Sequence, residues 1–130
     1  MADTFKFELI TPERMVLSAD AAQVLVPGFE GEFTVLPGHA PVISALRPGV
    51  VDAALADTRK VRVFVKGGLA EVDADRVTVL AERAIPIEAM DAETVAAELQ
   101  TAEAELAAAV NDAARLAAAT AVERLKGMGR

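Results

Sequence analysis

Apolar positions recur along the chain with two different periods, and the change falls just after Ile85-Pro86-Ile87. From Thr4 to Ile10, Phe5, Phe7 and Leu9 alternate with Lys6 and Glu8, the period-two pattern of a strand with one buried and one wet face. Thr11-Pro12-Glu13 ends it. Residues 14–18 predict a second short strand, Ser18-Ala19-Asp20 a turn, and residues 23–26 a third strand. Pro27-Gly28, Gly31 and Pro37-Gly38 then punctuate the chain around residues 32–36, so residues 24–41 read as strand, tight loop, strand, turn. Further runs at 42–46 and 50–55 flank the turn Arg47-Pro48-Gly49. Over residues 60–66, Val61, Val63 and Val65 share one face while Arg62, Phe64 and Lys66 share the other, and Gly67-Gly68 predicts a hairpin turn. Runs at 69–72 and 76–82, separated by Asp73-Ala74-Asp75, complete the series. Short strands with turn residues between them predict an all-β unit over residues 1–86, a flattened antiparallel sandwich or barrel.

Beyond Ile87 the turn residues give way to Ala, Glu and Leu, and the period changes to that of a helix. Residues 87–130 are therefore expected to form a separate helical part, with helices over about 91–110 and 112–126. Asp91 is placed to cap the first. Val95, Leu99, Ala102, Leu106 and Val110 share one face of it, with Glu98, Glu103 and Glu105 away from that stripe. Leu116, Ala119, Val122 and Leu125 make the second stripe. Asn111-Asp112 is the candidate break, and with neither Gly nor Pro there both a hairpin and a continuous rod are open. The alanine-rich faces suit either a partner-binding hairpin or a stabilising lid.

Composition narrows the function classes. The 130 residues are 53% hydrophobic with mean hydropathy +0.33, but much of that is alanine. No apolar run approaches the roughly 18 residues that span a bilayer, so a soluble protein is expected. A net charge of -7 excludes wrapping of nucleic acid and gives no basic anchor for lipid. The absence of cysteine excludes disulfides and thiol chemistry, and a single histidine excludes a His-pair metal site. The amino terminus carries neither a secretory nor an organelle-targeting pattern, so the protein is expected to remain where it is made.

Candidate chemistry concentrates in the loop at Phe29, Glu30, Gly31 and Glu32 and in His39 beyond it. Gly28, Gly31 and Gly38 lack the Gly-Lys-Ser/Thr of a phosphate cradle and read as turn formers. Glu30 and Glu32 could serve as an acid/base pair, but no apolar surround is evident that would separate their proton affinities; a solvated, partner-facing loop fits better. His39 has no partner histidine or nucleophile, and alternation alone does not aim Ser44 at it, which leaves a structural or interface histidine. Asp73 and Asp75 form half of a calcium loop at most, and read as a turn.

Several segments together resemble the epsilon subunit of F-type ATP synthases, bacterial type. They are Leu9-Ile-Thr-Pro-Glu13, Pro27-Gly-x-x-Gly-Glu32 running into Val35-Leu-Pro-Gly-His-Ala-Pro41, Arg47-Pro-Gly49, Gly67-Gly-x-x-Glu-Val72 and Val77-Thr-Val-Leu-Ala81. They occur in the family's order across residues 5 to 85. The resemblance implies a β-sandwich followed by two helices, and a non-catalytic rotor subunit of the central stalk that couples proton passage to ATP synthesis. It implies a c-ring contact at Phe29, Glu30, Gly31 and Glu32, and a gamma-subunit contact at Thr11, His39 and Ser44. It further implies contact of the helices with the alpha/beta head, and a peripheral location at the cytoplasmic face of a bacterial inner membrane; an organelle-encoded copy is also compatible.

In many bacterial relatives, the resemblance further implies, a motif of Ile or Leu, Asp, two residues, Arg, Ala opens the first helix and contributes to ATP binding. Here the stretch is Met90-Asp91-Ala-Glu-Thr94-Val95: Asp91 remains as a weak nucleotide contact, and Thr94 stands where the arginine is expected. Without that cation the phosphates lose a charge-assisted bond, so no cofactor is expected. Cations of the second helix reduce mainly to Arg115, Arg124, Lys126 and Arg130, which predicts weak inhibition of ATP hydrolysis. The competing readings are an ATP-sensing inhibitory subunit whose helices switch between hairpin and extended states, and a small hydrolase using Glu30 or Glu32.

Overall fold

A computed structural model describes residues 3–128; Arg130 lies outside the described residues. Strand β1 (Phe5–Ile10) turns into β2 (Met15–Gly28) through residues 11–14, where the Thr11 and Arg14 backbones exchange hydrogen bonds of 2.9 and 3.2 Å. β2 runs unbroken through Ser18-Ala19-Asp20, where the pattern predicts a turn. Those residues pair with Glu8, Phe7 and Lys6 of β1, so their backbone groups are satisfied in the ladder. The irregularity in the pattern is a register shift between Ala21 and Gln23 instead. Such a bulge lets a long strand bend, and here it hands β2 from β1 to its partners β3 (Gly31–Val35) and β5 (Gly49–Leu55).

The remaining strands are β4 (Val42–Ala45), β6 (Lys60–Val65), β7 (Gly68–Val72), β8 (Arg76–Ala81) and β9 (Ala84–Pro86). Among the described residues they form one nine-stranded sheet in the order β4-β7-β8-β1-β2-β5-β6-β9, with β3 beside β2. The β1–β8 ladder is parallel, a departure from the all-antiparallel expectation. These strands are distant in sequence, so no hairpin turn dictates their direction. The two arms of the sheet meet in a single core. Phe5, Phe7, Leu9, Val77 and Val79 from one arm pack with Val51, Ala53, Leu55, Val63 and Val65 from the other, which closes a sandwich around the alternating apolar positions.

After a 3₁₀ turn at Ile87–Ala89, helices α1 (Ala92–Ala108) and α2 (Asp112–Met128) fold back on each other as a hairpin. Asn111 makes the break by capping α2, its Oδ1 accepting from Ala114 N–H at 2.8 Å. The hairpin covers the outer face of β6. Phe64, on the face opposite Val63 and Val65, is fully buried there against Ala102, Ala121 and Leu125, with Leu99, Val122, Ile87 and Met90 around it.

Two features of the predicted helical stripes are corrected. Glu98 is not away from the packed face: it is only 7% exposed, and its Oε2 accepts from Arg83 Nε at 2.9 Å and Nη2 at 2.6 Å. Position 98 is three residues past Val95 and four before Ala102, hence on their side of the helix, and Arg83 makes a carboxylate tolerable there. Conversely, Val110 is 89% exposed because α1 ends at Ala108, short of the predicted 110, and leaves it in the connecting loop. Leu116 is exposed because α2 packs through Ala118, Ala121 and Leu125, where alanines admit a close approach of the two helices. A second ion pair, Lys66 Nζ to Glu105 Oε1 at 2.7 Å, ties α1 to the end of β6.

Candidate functional site

The β2–β3 hairpin turns on two residues, Phe29 and Glu30, between the paired Gly28 and Gly31. Gly31 has φ +144°, a conformation that side chains disfavour, and a Cβ at position 28 would lie 2.7 Å from the Gly31 carbonyl. Glycine at both positions is what lets the turn be this tight. Its tip stands out from the sandwich with the Phe29 ring 42% exposed and Glu30 exposed beside it.

β4 is the edge of the sheet beyond β7, and the chain reaches it through the turn that ends at His39. Between this strand and the hairpin tip opens a groove of about 540 Å³ lined by Phe29, Glu30, Gly31 and Phe33 on one side and His39, Pro41, Ile43 and Ser44 on the other. The walls are mainly apolar and the rim carries the Glu30 carboxylate, so Glu30 has an apolar neighbourhood that the sequence pattern did not show. His39 Nδ1 lies 2.8 Å from the Ala40 carbonyl; a carbonyl only accepts, so Nδ1 is the donor of this bond. Ser44 Oγ donates to the Ala45 carbonyl at 2.9 Å. The histidine and the hydroxyl are thus each engaged with backbone beside them, in a groove open to solvent, and present polar edges to whatever enters.

Five of the residues singled out in the sequence, Phe29, Glu30, Gly31, His39 and Ser44, therefore meet in one groove. Glu32 does not line it. Alternation along β3 puts Phe33 toward the groove and leaves Glu32 exposed outside it. Thr11 is elsewhere, nearly buried in the β1–β2 turn with its Oγ1 donating to the Arg14 carbonyl at 3.2 Å. Asp91 is at the start of α1, accepting from Thr94 N–H at 2.7 Å, which holds its carboxyl below the ordinary aspartate value.

Thr11 and the groove are joined by an apolar row on the outer face of the sheet. Ala45, Leu69, Leu80, Ile10 and Met15 are successive cross-strand neighbours over β4, β7, β8, β1 and β2, so the row starts beside Ser44 and ends beside Thr11. Leu80 and Met15 stand among the exposed large apolar side chains of the molecule, as do Val42 and Ile43 of β4, the latter at 69%. Apolar side chains grouped on the outer face of a sheet are the kind of surface that interfaces use.

The family model for the ATP synthase delta/epsilon chain β-sandwich domain matches residues 4–87. The chain belongs to this family. Epsilon chains similar to it include that of Maricaulis maris, 41% identical over 98% of this chain and 96% of the relative. The epsilon chain of Rhodospirillum rubrum is 43% identical over 93% and 90% respectively. Among solved structures, a chain of the Euglena gracilis mitochondrial ATP synthase OSCP/F1/c-ring assembly superposes with TM-score 0.73 at 25% identity, over 95% of this chain and 78% of that one. A chain of the Tetrahymena thermophila mitochondrial ATP synthase central stalk and c-ring shares the fold, with TM-score 0.68. Epsilon-chain membership thus rests on near full-length likeness, helices included. Among the described residues no helix is long and apolar enough to cross a membrane.

Ile43 and Leu80 escaped the sequence reading of the site. Ile43 sits in an apolar run, which signals burial unless the strand is known to be an edge. Leu80 breaks the alternation of Val77 and Val79 on the wet face, and that was the available signal.

Proposed function

We propose that this chain is a non-catalytic subunit of the central stalk of an F-type ATP synthase, joining a gamma subunit to the c-ring and so coupling proton translocation to ATP synthesis. It acts as a peripheral part of the complex at the cytoplasmic face of a bacterial inner membrane. The observation that carries this is the single groove in which the hairpin tip, assigned to the c-ring, faces His39 and Ser44, assigned to gamma. The apolar row from Ala45 to Ile10 extends the gamma side to Thr11, and Glu32 flanks the c-ring side. A sandwich with short turns suits a joint that must transmit torque, because it holds both contact sets on rigid elements.

In this reading residues 1–86 carry the coupling and residues 87–130 form a brace that reaches the alpha/beta head at most weakly. Support comes from the Arg83–Glu98 and Lys66–Glu105 ion pairs, which fasten the hairpin to the sandwich, and from Asp91, whose carboxylate already caps α1. With Thr94 in place of an arginine, Asp91 contributes only a weak nucleotide contact. Calorimetry with ATP on the isolated chain is expected to give no micromolar dissociation constant.

The test adds the full chain back to ATP synthase membranes stripped of their own epsilon subunit. ATP-driven proton pumping is expected to recover while hydrolysis slows less than about twofold, a barrier change below about 0.4 kcal/mol. Failure to restore pumping overturns the coupling role. Strong suppression of hydrolysis would favour the switching, inhibitory reading of the helices.

A further inference from the structure

We propose that Arg47 is a positioning residue for the hairpin tip: its guanidinium fixes the Phe29 peptide and thereby sets the direction in which Phe29 and Glu30 meet a partner. Both backbone polar groups of Phe29 are bound to the end of β4 and the residues just after it. Phe29 N–H donates to the Ala45 carbonyl at 2.7 Å, and the Phe29 carbonyl accepts from Arg47 Nη2 at 2.7 Å. Arg47 N–H donates in turn to the Pro27 carbonyl at 3.0 Å, and Gly28 bridges to Leu46. The two backbone hydrogen bonds, which together make the Gly28–Leu46 bridge, persist with any residue but proline at position 47. The third bond depends on the side chain.

A carbonyl at the crest of a two-residue turn has no strand opposite it and is otherwise left to water. Arg47 supplies the missing donor, from a cation, which is the stronger kind of hydrogen bond. The peptide between Phe29 and Glu30 is held at its carbonyl, so the Glu30 side chain leaves from a fixed plane. Preorganisation of that kind raises affinity by removing an ordering cost at binding. The same bond ties the tip to the chain that continues β4, whose Ser44 forms the opposite wall of the groove. It adds to the two backbone hydrogen bonds that already hold the walls together. The identity of the partners, c-ring at the tip and gamma at β4, rests on the function proposed above; the lock itself does not.

Full-length Arg47→Met and Arg47→Lys separate the two. Methionine keeps the stem and loses the donor, while lysine keeps a charged donor without the planar fork. In the isolated chain, the Phe29 carbonyl carbon shift is expected to move with methionine and to return at least halfway with lysine, because that carbonyl is the acceptor the side chain serves. Exchange of Phe29 N–H stays the same, since its bond to the Ala45 carbonyl is backbone to backbone. Affinity for c-rings in liposomes is expected to fall about fivefold with methionine and recover with lysine. Affinity for purified gamma stays the same, because β4 remains paired to β7. An unchanged Phe29 carbonyl shift with methionine overturns the lock. A moved shift with unchanged c-ring affinity overturns the positioning role. If the wild-type chain itself does not bind c-rings, the partner assignment falls, while a moved carbonyl shift in Arg47→Met still establishes the lock.

Discussion

Asp91 shows how one side chain can answer to two readings. Its acceptance of Thr94 N–H caps α1, and that backbone hydrogen bond is the main reason its carboxyl sits below the ordinary value of 3.8. A carboxyl whose pKa is lower in the folded state gives up its proton on folding. The cap therefore contributes fully above about pH 3.8 and is lost as pH falls through the lower, folded value. Followed by the Thr94 amide proton shift, the wild type is expected to lose the cap only below that window. Asp91→Asn keeps an acceptor and removes the titration, whereas Asp91→Ala removes the cap at every pH. A wild-type transition near pH 5 would contradict this.

The helical hairpin depends on one aromatic residue and two ion pairs for its seat on the sandwich. Phe64 faces away from the main core, and the hairpin is what keeps it out of water. Phe64→Ala is expected to cost about 3 kcal/mol in denaturant unfolding, at the low end for a buried phenylalanine because its cluster is small. Glu98→Ala removes the partner of an arginine that is itself half in solvent, so its cost is about 1 to 2 kcal/mol, well short of a fully buried pair. In both variants, exchange should quicken in α1 and α2 before it does in β1 and β8; equal acceleration everywhere would mean that the hairpin and sandwich unfold as one unit. Alternation in β1, β6 and β8 and the period change after Ile87 were enough to read a sandwich followed by helices. Two things were hidden. The bulge in β2 imitates a turn, since both interrupt alternation, and only the pairing partners of Ser18 to Asp20 distinguish them. The burial of Glu98 depends on Arg83, fifteen residues earlier on another element, and a local stripe cannot show it.

At the scale of the whole molecule, the open question for a sequence is which of its apolar residues stay outside. The turn glycines and the Phe29–Glu32 loop were legible because turn chemistry is local. The row from Ala45 to Met15 was not, because it is assembled from five strands whose neighbours are fixed by sheet order. That row leaves Leu80 and Met15 exposed on the outer face of the sheet, and covering them is worth free energy to a partner. Leu80, 38% exposed near the middle of the row, is the position where a charge does most harm to association and little to folding. Leu80→Glu is expected to shift unfolding by about 1 kcal/mol or less, as for surface strand positions, and to weaken gamma binding at least tenfold. The control is Val110→Glu. Val110 is the most exposed large apolar side chain among the described residues, but it stands in the loop between the helices and is not a member of the row, so gamma affinity should not change. If Val110→Glu weakens binding and Leu80→Glu does not, gamma meets the helices and not the sheet, and the face assigned here is wrong.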